Sequence, residues 1–368
     1  MAIGPESSFT MVITGGGTGG HLFPGIAVAQ EVVARVPKAR VVFIGTERAV
    51  DQNAMAQYGF ASRAVRCGSL KGGTVAGKIK TILGLPGSVC QAWQVLRQVR
   101  PDLVLGVGGY VTGPVMAAAK LLGIPTAIHE QNSIPGLANR RLGGIVDRVF
   151  VSIPGSESHF PAGRCQLSGN PLRQEIVSLA RQGMEASAPV LLVLGGSQGA
   201  HRLNALLPEA IAAMGAMPPE FRVIHQTGRA DEEMVRAAYQ KLGVTGEVRA
   251  FFTDMAAIYR QAALVVSRAG ATTLAELTAL GKPSILVPFP FAADDHQRKN
   301  AESLVAGGAA RMFLEEGLTA STLGQAIAEI LGDAETRRGM GQAARSLARP
   351  DAVHAIVDAC LAMASAKR

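Results

Sequence analysis

Aliphatic runs fall at 11–14, 41–44, 103–107, 126–128 and 148–151, and after a gap they resume at 190–194, 222–225, 264–266 and 284–287. They lack the polar alternation of a half-exposed strand, which predicts strands covered on both faces, as in parallel sheets. Helical spacing fills the intervals, most plainly over 22–35, so the chain reads as successive βα units. Gly169-Asn170-Pro171 and the polar stretch 181–187 separate the two series and predict a hinge region. Each series begins with a buried strand running into a glycine turn, Val12-Ile13-Thr14-Gly15-Gly16-Gly17 in the first and Val193-Leu194-Gly195-Gly196-Ser197 in the second. This weak internal echo predicts two Rossmann-like domains facing a cleft, with ligands at the C-terminal strand ends. A last helix from Pro350 to Ala366 is expected to pack back onto the first domain.

Length and charge narrow the picture. At 368 residues the chain exceeds one hydrophobic core, which favours two domains. A net charge of +8 favours anionic partners. With one Trp and four Tyr for base stacking and no nucleic-acid module, nucleic acid is not among them. Cys67, Cys90, Cys165 and Cys360 are scattered, which argues against a disulfide framework or zinc site and fits a reduced cytosolic setting. The opening MAIGPESS has neither the basic nor the apolar region of a secretory signal. The uncharged stretch 103–119 is broken by Gly106, Gly108, Gly109, Gly113 and Pro114, so it is not read as a membrane span.

Three glycine turns follow buried strands: Gly15–Gly20, Gly108-Gly109-Tyr110-Val111-Thr112-Gly113-Pro114, and Gly195–Ala200. Such turns let backbone N–H groups approach a phosphate at a helix N-terminus. One alone can be a tight βα turn that binds nothing, whereas three together point to phosphate-bearing ligands. The first has the G-x-G-x-x-G spacing of a dinucleotide site, but the second strand ends without a ribose-binding acid; Glu47 comes late. No Gly-Lys-Ser/Thr follows any turn, which excludes a Walker A motif. His21 falls in the first turn of its helix, where the dipole favours a neutral imidazole able to take a proton. It equally suits a plain hydrogen bond to a loop carbonyl or phosphate.

In the second half, Ser267-Arg268-Ala269-Gly270-Ala271-Thr272-Thr273 again links a strand to a helix, and Thr272 and Thr273 suit phosphate oxygens. Glu276, one turn later, suits a ribose diol or is a solvated helix residue. The polar cluster Asp294-Asp295-His296-Gln297 suits sugar hydroxyls, and its two carboxylates lack the third that a metal site would need. The apolar segment 75–86, flanked by Lys71, Lys78 and Lys80, is a candidate surface for anionic lipid. Val89, Trp93, Leu96 and Val99 beyond it have ordinary core spacing.

Taken together, GGTGGHLFPG (16–25), GGYVTGP (108–114), HEQNSIPGLAN (129–139), GNPLR (169–173), GGSQGA (195–200), SRAGATTLAE (267–276) and DDHQRKNA (294–301) resemble glycosyltransferase family 28. The likeness is to its UDP-N-acetylglucosamine transferases, which make the second lipid intermediate of peptidoglycan. Each motif alone is modest; their order from residue 10 to near the end is specific. Thr272 departs slightly, standing where some members carry Leu.

The resemblance implies an α/β GT-B fold. Residues 1–170 would form an acceptor-binding, membrane-facing domain joined by 350–368, and 171–349 a UDP-GlcNAc-binding domain. It implies metal-independent, inverting transfer of GlcNAc to the C4 hydroxyl of undecaprenyl-diphosphate-MurNAc-pentapeptide (lipid I to lipid II), without a cofactor. His21 is the implied base. Thr18, Gly19, Gly20, Asn132, Arg173, Ser197, Phe252, Ala271, Thr272, Thr273, Glu276 and Gln297 are the implied donor contacts, with Phe252 at uracil and Glu276 at ribose. Gly16, Gly17, Gly108, Gly109, Tyr110 and Thr112 would hold the acceptor diphosphate. Implied partners are the anionic membrane surface and other cell-wall synthesis proteins, at the cytoplasmic face of the inner membrane. An epimerase of the same fold acting on UDP-GlcNAc, or a non-catalytic nucleotide-sugar-binding protein, is the alternative.

Overall fold

The computed structural model describes residues 8–16, 19–46, 55, 58–68, 75–183, 188–195, 200–215 and 218–367; the side chains of 19–21, 75–80 and 82 are outside that description. The chain divides into two compact units, Met1–Arg173 with Pro350–Arg368, and Gln174–Arg349. Each is a parallel α/β sheet, and together they have the two-domain composition of the GT-B class.

In the first unit the elements run β1 (Phe9–Gly15), α1 (Gly19–Arg35), β2 (Ala39–Gly45), β3 (Ala61–Ala64), α2 (Val75–Val99), β4 (Leu103–Gly108), α3 (Thr112–Leu121), β5 (Thr126–Glu130), α4 (Leu137–Leu142), β6 (Arg148–Val151) and β7 (Cys165–Leu167). The seven strands lie in the order β3-β2-β1-β4-β5-β6-β7. Strand residues alternate between two apolar layers. Met11 and Ile13 pack with Ile26, Ala29 and Val32 of α1, while Val12 packs with Leu96 of α2 and Val115 and Met116 of α3. Covering both faces is what requires the unbroken aliphatic runs.

The second unit runs α5 (Gln174–Gln182), β8 (Val190–Leu194), α6 (His201–Ala212), β9 (Arg222–Gln226), α7 (Glu232–Lys241), β10 (Gly246–Arg249), α8 (Met255–Gln261), β11 (Leu264–Ser267), α9 (Ala271–Leu280), β12 (Ser284–Leu286), α10 (His296–Ala306), β13 (Ala310–Met312), α11 (Ala320–Gly332) and α12 (Ala334–Leu347). Its six strands are ordered β10-β9-β8-β11-β12-β13. Helices α6 and α11 approach closely enough that a Cβ on Gly324 would fall 2.3 Å from the Ala210 carbonyl oxygen.

The last helix, α13 (Ala352–Ser365), belongs to the first unit. Ile356, Val357, Cys360 and Ala364 join the apolar layer beneath α1. At the surface Arg35 bridges Glu31 and Asp358, and His354 Nε2 lies 3.3 Å from Glu31.

Two features differ from the sequence reading. Segment 75–86 is not separate from the helix after it, for α2 runs unbroken through Pro86. A mid-helix proline costs about 3 kcal/mol, and burial of Ala92, Leu96 and Val99 offsets this by anchoring the helix to the sheet. Strands β3, β7, β10 and β13, the outer strands of the two sheets, have no matching aliphatic run, so the apolar pattern does not predict them.

Candidate functional site

Strand order reverses direction between β1 and β4 in the first sheet and between β8 and β11 in the second. Beyond such switch points the loops diverge and leave a crevice at the C-terminal strand ends, the usual ligand position in open α/β sheets. The turns after β1 and β4 flank the first of these points, and the start of α9 follows β11 at the second.

In the first unit the turns after β1 and β4 touch. Gly16, Gly108 and Gly109 have φ of 148°, 102° and 95°, a region that favours glycine. A Cβ on Gly109 would fall 2.5 Å from the Gly16 carbonyl oxygen. Thr112 is fully buried, and its hydroxyl lies 2.9 Å from the Gly108 carbonyl and 3.4 Å from that of Thr14. It ties the two turns together and has no surface left for a ligand. Tyr110 is exposed, and its carbonyl accepts a long hydrogen bond from the Cys67 thiol. The backbone of Gly19, Gly20 and His21 forms the first turn of α1. Gly17 and Thr18 lie outside the described residues, as does the His21 side chain.

Next to this, the end of β5 carries a carboxylate that sequence reasoning passed over. Glu130 is buried; its Oε1 accepts from the Asn132 backbone N–H at 2.9 Å and side-chain amide at 3.3 Å. Its Oε2 accepts from Gly136 N–H at 3.1 Å and Asn139 Nδ2 at 2.9 Å. Donors from four groups offset the cost of burying the charge and fix the loop that presents partly exposed Asn132. The available signal is an acid at the end of a strand, two residues past the apolar Ala127-Ile128. Arg173 closes the first unit rather than opening the second, with its guanidinium 5.4 Å above the Phe23 ring.

In the second unit the residue before α9, Gly270, has extended backbone and provides no side-chain cap. The first-turn N–H groups of Ala271, Thr272 and Thr273 therefore lie at an end where helices attract anions. One turn on, Glu276 is buried rather than solvated, and its Oε2 accepts from the Tyr259 hydroxyl of α8 at 2.9 Å. Gln297 Oε1 accepts from Ala269 N–H at 3.2 Å and Phe289 N–H at 3.0 Å, joining the loops after β11 and β12. Phe252 is buried, its N–H bonds Gln226 Oε1 at 3.1 Å, and the Arg249 guanidinium lies 5.7 Å from its ring. Ser197 lies outside the described residues.

Arg268 and Glu315 also escaped the sequence reading. Their side chains form an ion pair at 2.5 Å, only 11% and 14% exposed. Arg268 also donates to the carbonyls of Val287 and Pro288 at 3.1 and 3.2 Å and faces the Phe289 ring. It thereby pins the loop after β12 beside Gln297. Among the described residues no group of three or more His, Cys, Asp and Glu is placed to hold a metal ion.

Comparison with known proteins extends these observations. The family profile described as the glycosyltransferase family 28 N-terminal domain matches residues 11–151, and that of its C-terminal domain matches 190–356. A relative from Desulfotalea psychrophila is 52% identical over 352 residues, 95% of each chain. It is named UDP-N-acetylglucosamine–N-acetylmuramyl-(pentapeptide) pyrophosphoryl-undecaprenol N-acetylglucosamine transferase. The crystal structure of Acinetobacter baumannii MurG aligns with a TM-score of 0.77 at 29% identity, covering 96% of this chain and 99% of that one. A UDP-GlcNAc 2-epimerase from Neisseria meningitidis aligns at 0.66 but only 16% identity, over 97% of this chain and 100% of that one, a likeness of fold alone.

Proposed function

The chain belongs to glycosyltransferase family 28, and we infer from this premise that it transfers GlcNAc from UDP-GlcNAc to undecaprenyl-diphosphate-MurNAc-pentapeptide, converting lipid I to lipid II. The observation that carries the reading is the 52% identity to a transferase of that name across 95% of both chains.

In the reaction the acceptor C4 hydroxyl attacks C1 of GlcNAc, the bond from C1 to the UDP oxygen breaks, and the anomeric configuration inverts. His21 takes the hydroxyl proton; its place in the first turn of α1 favours the neutral ring that a base requires. The abutting turns at Gly16–Gly17 and Gly108-Gly109-Tyr110 hold the acceptor diphosphate, with Thr112 bracing them. In the second unit Phe252 lies against uracil, Glu276 holds the ribose and the start of α9 faces the donor diphosphate. Ser197 and Gln297 complete that set, and Thr18, Gly19, Gly20, Asn132 and Arg173 are its contacts from the first unit. Charge on the departing UDP is met by the α9 N-terminus and Arg173, without a bound metal.

The enzyme works at the cytoplasmic face of the inner membrane, with the basic, apolar start of α2 on anionic lipid and other cell-wall synthesis proteins nearby. Leu83 of this helix is 75% exposed, and no described helix is long and apolar enough to cross a membrane. Incubation with UDP-GlcNAc and a short-chain lipid I analogue is the test. Lipid-linked disaccharide plus UDP is expected, at an unchanged rate in chelator; UDP-GlcNAc binding without turnover would overturn the transferase reading.

A further inference from the structure

A buried polar chain lies under the donor side of the second unit, formed by residues for which the reaction has no direct use. Asn204, on the first turn of α6, is fully buried at its centre. Its Nδ2 donates to the Thr227 carbonyl and to Asp231 Oδ2, both at 2.8 Å. Its Oδ1 is 3.1 Å from His225 Nε2, and His225 Nδ1 is 2.9 Å from the Tyr239 hydroxyl.

These partners fix every proton. With both amide hydrogens of Asn204 engaged, its Oδ1 accepts from His225 Nε2–H, and the neutral ring then accepts the Tyr239 proton at Nδ1. Burial holds His225 down to about 3, against the opposing charge of Asp231, so the ring stays neutral. At the outer end, Asp231 Oδ1 meets Nδ1 of exposed His201 at 2.8 Å. Burial would raise the Asp231 carboxyl, but hydrogen bonds from His201 and Asn204 outweigh it and hold the group below its usual range.

The chain borders two pieces of the donor side. A Cβ on Gly195 would stand 3.3 Å from Asn204 Oδ1 and 3.1 Å from Ala200 N. Asn204 N–H bonds the Ala200 carbonyl at 2.8 Å, so one residue meets both Gly195 and Ala200. Gly195 N–H bonds the Gln226 carbonyl at 2.9 Å, and Gln226 Oε1 receives Phe252 N–H at 3.1 Å. Gly195 and the base-side phenylalanine thus share strand β9, whose end Asn204 and His225 hold in place.

We propose that Asn204 and His225 are positioning residues for donor binding, holding Gly195 and Ala200 in register with the Phe252 segment so that diphosphate and base are gripped together. The proposal rests on the donor reading of this unit. A fully satisfied buried network specifies one arrangement of the groups around it, and loss of one member leaves buried partners unpaired.

Calorimetry with UDP and steady-state kinetics test it. Asn204→Ala is expected to weaken UDP binding about tenfold and raise the UDP-GlcNAc KM to match, with kcat at saturation within about threefold. A merely structural role would lower the melting temperature and leave the Kd of the folded protein alone, and that result overturns the proposal. Should Asn204→Ala not fold, His225 decides. His225→Gln keeps a donor near the Nε2 position and should bind UDP close to the parent, while His225→Leu binds about tenfold more weakly. Equal affinity in these two variants overturns the proposal. Failure of the parent protein to bind UDP would instead refute the donor reading beneath it.

Discussion

Gly109 lies against Gly16 with no room for a side chain, since a Cβ there would stand 2.5 Å from the Gly16 carbonyl oxygen. Gly16 and the turn after β4 are therefore in backbone contact, and the Thr112 hydroxyl lies against the Gly108 and Thr14 carbonyls beneath them. With φ at 95°, Gly109→Ala meets both strain and a clash. It is expected to destabilise the first unit by about 2 kcal/mol or more and to raise the acceptor KM above the donor KM. Denaturant melts and paired kinetics check this; an unchanged acceptor KM would separate the turn from the acceptor.

Glu276 and Tyr259 should differ in the size of their effect. The carboxylate is expected to meet the donor, so Glu276→Ala weakens UDP-GlcNAc binding about 10- to 100-fold, the worth of hydrogen bonds to a charged group. Tyr259 only orients the carboxylate through its hydroxyl, so Tyr259→Phe weakens binding about threefold. Calorimetry on both variants gives the order, and unchanged donor affinity in Glu276→Ala would remove it from the ribose.

His21→Ala should lower kcat about 10²- to 10⁴-fold, as loss of a general base does, while donor Kd stays near that of the parent. Equal loss of donor affinity, with normal turnover of bound substrate, would make His21 a phosphate contact instead.

Stability should fall in mild acid. His225 takes a proton near 6.5 when unfolded but only near 3 when folded. Between those values the unfolded chain binds the extra proton, so this group's contribution, fully present above pH 7, declines as pH falls from 6.5 towards 3. The slope approaches about 1.4 kcal/mol per pH unit. Urea melts between pH 7 and 4 should show a shallower slope in His225→Gln; identical slopes would mean that His225 is not the group responsible.

The cysteines report on α13. Cys360 is fully buried and its thiol is pushed up to about 12, whereas Cys90 is exposed. A thiol reagent should modify Cys90 in the native protein and reach Cys360 only as α13 leaves the sheet. Reaction at both sites with equal rates would mean that the helix is not docked.

Which strands were legible in the sequence follows from their place in the sheets. Every strand announced by an aliphatic run is an inner strand, covered by helices on both faces, as at Val190–Leu194 with every residue buried. The outer strands β3 and β10 carry mostly exposed or half-exposed residues, and β7 and β13 are largely intermediate. With one edge and part of a face in water, such strands need no continuous apolar run, so their sequences do not mark them.

The site divides in the same way. The glycine turn after β4, the start of α9 and the place of His21 in the first turn of α1 follow from local strand-turn-helix chemistry, and the sequence by itself determined them, along with the family. What Glu130, Asn204, Tyr259 and the Arg268–Glu315 pair do was decided only by the tertiary structure. A buried polar side chain is defined by partners on other strands and helices, and no local pattern records where the fold will bring those partners.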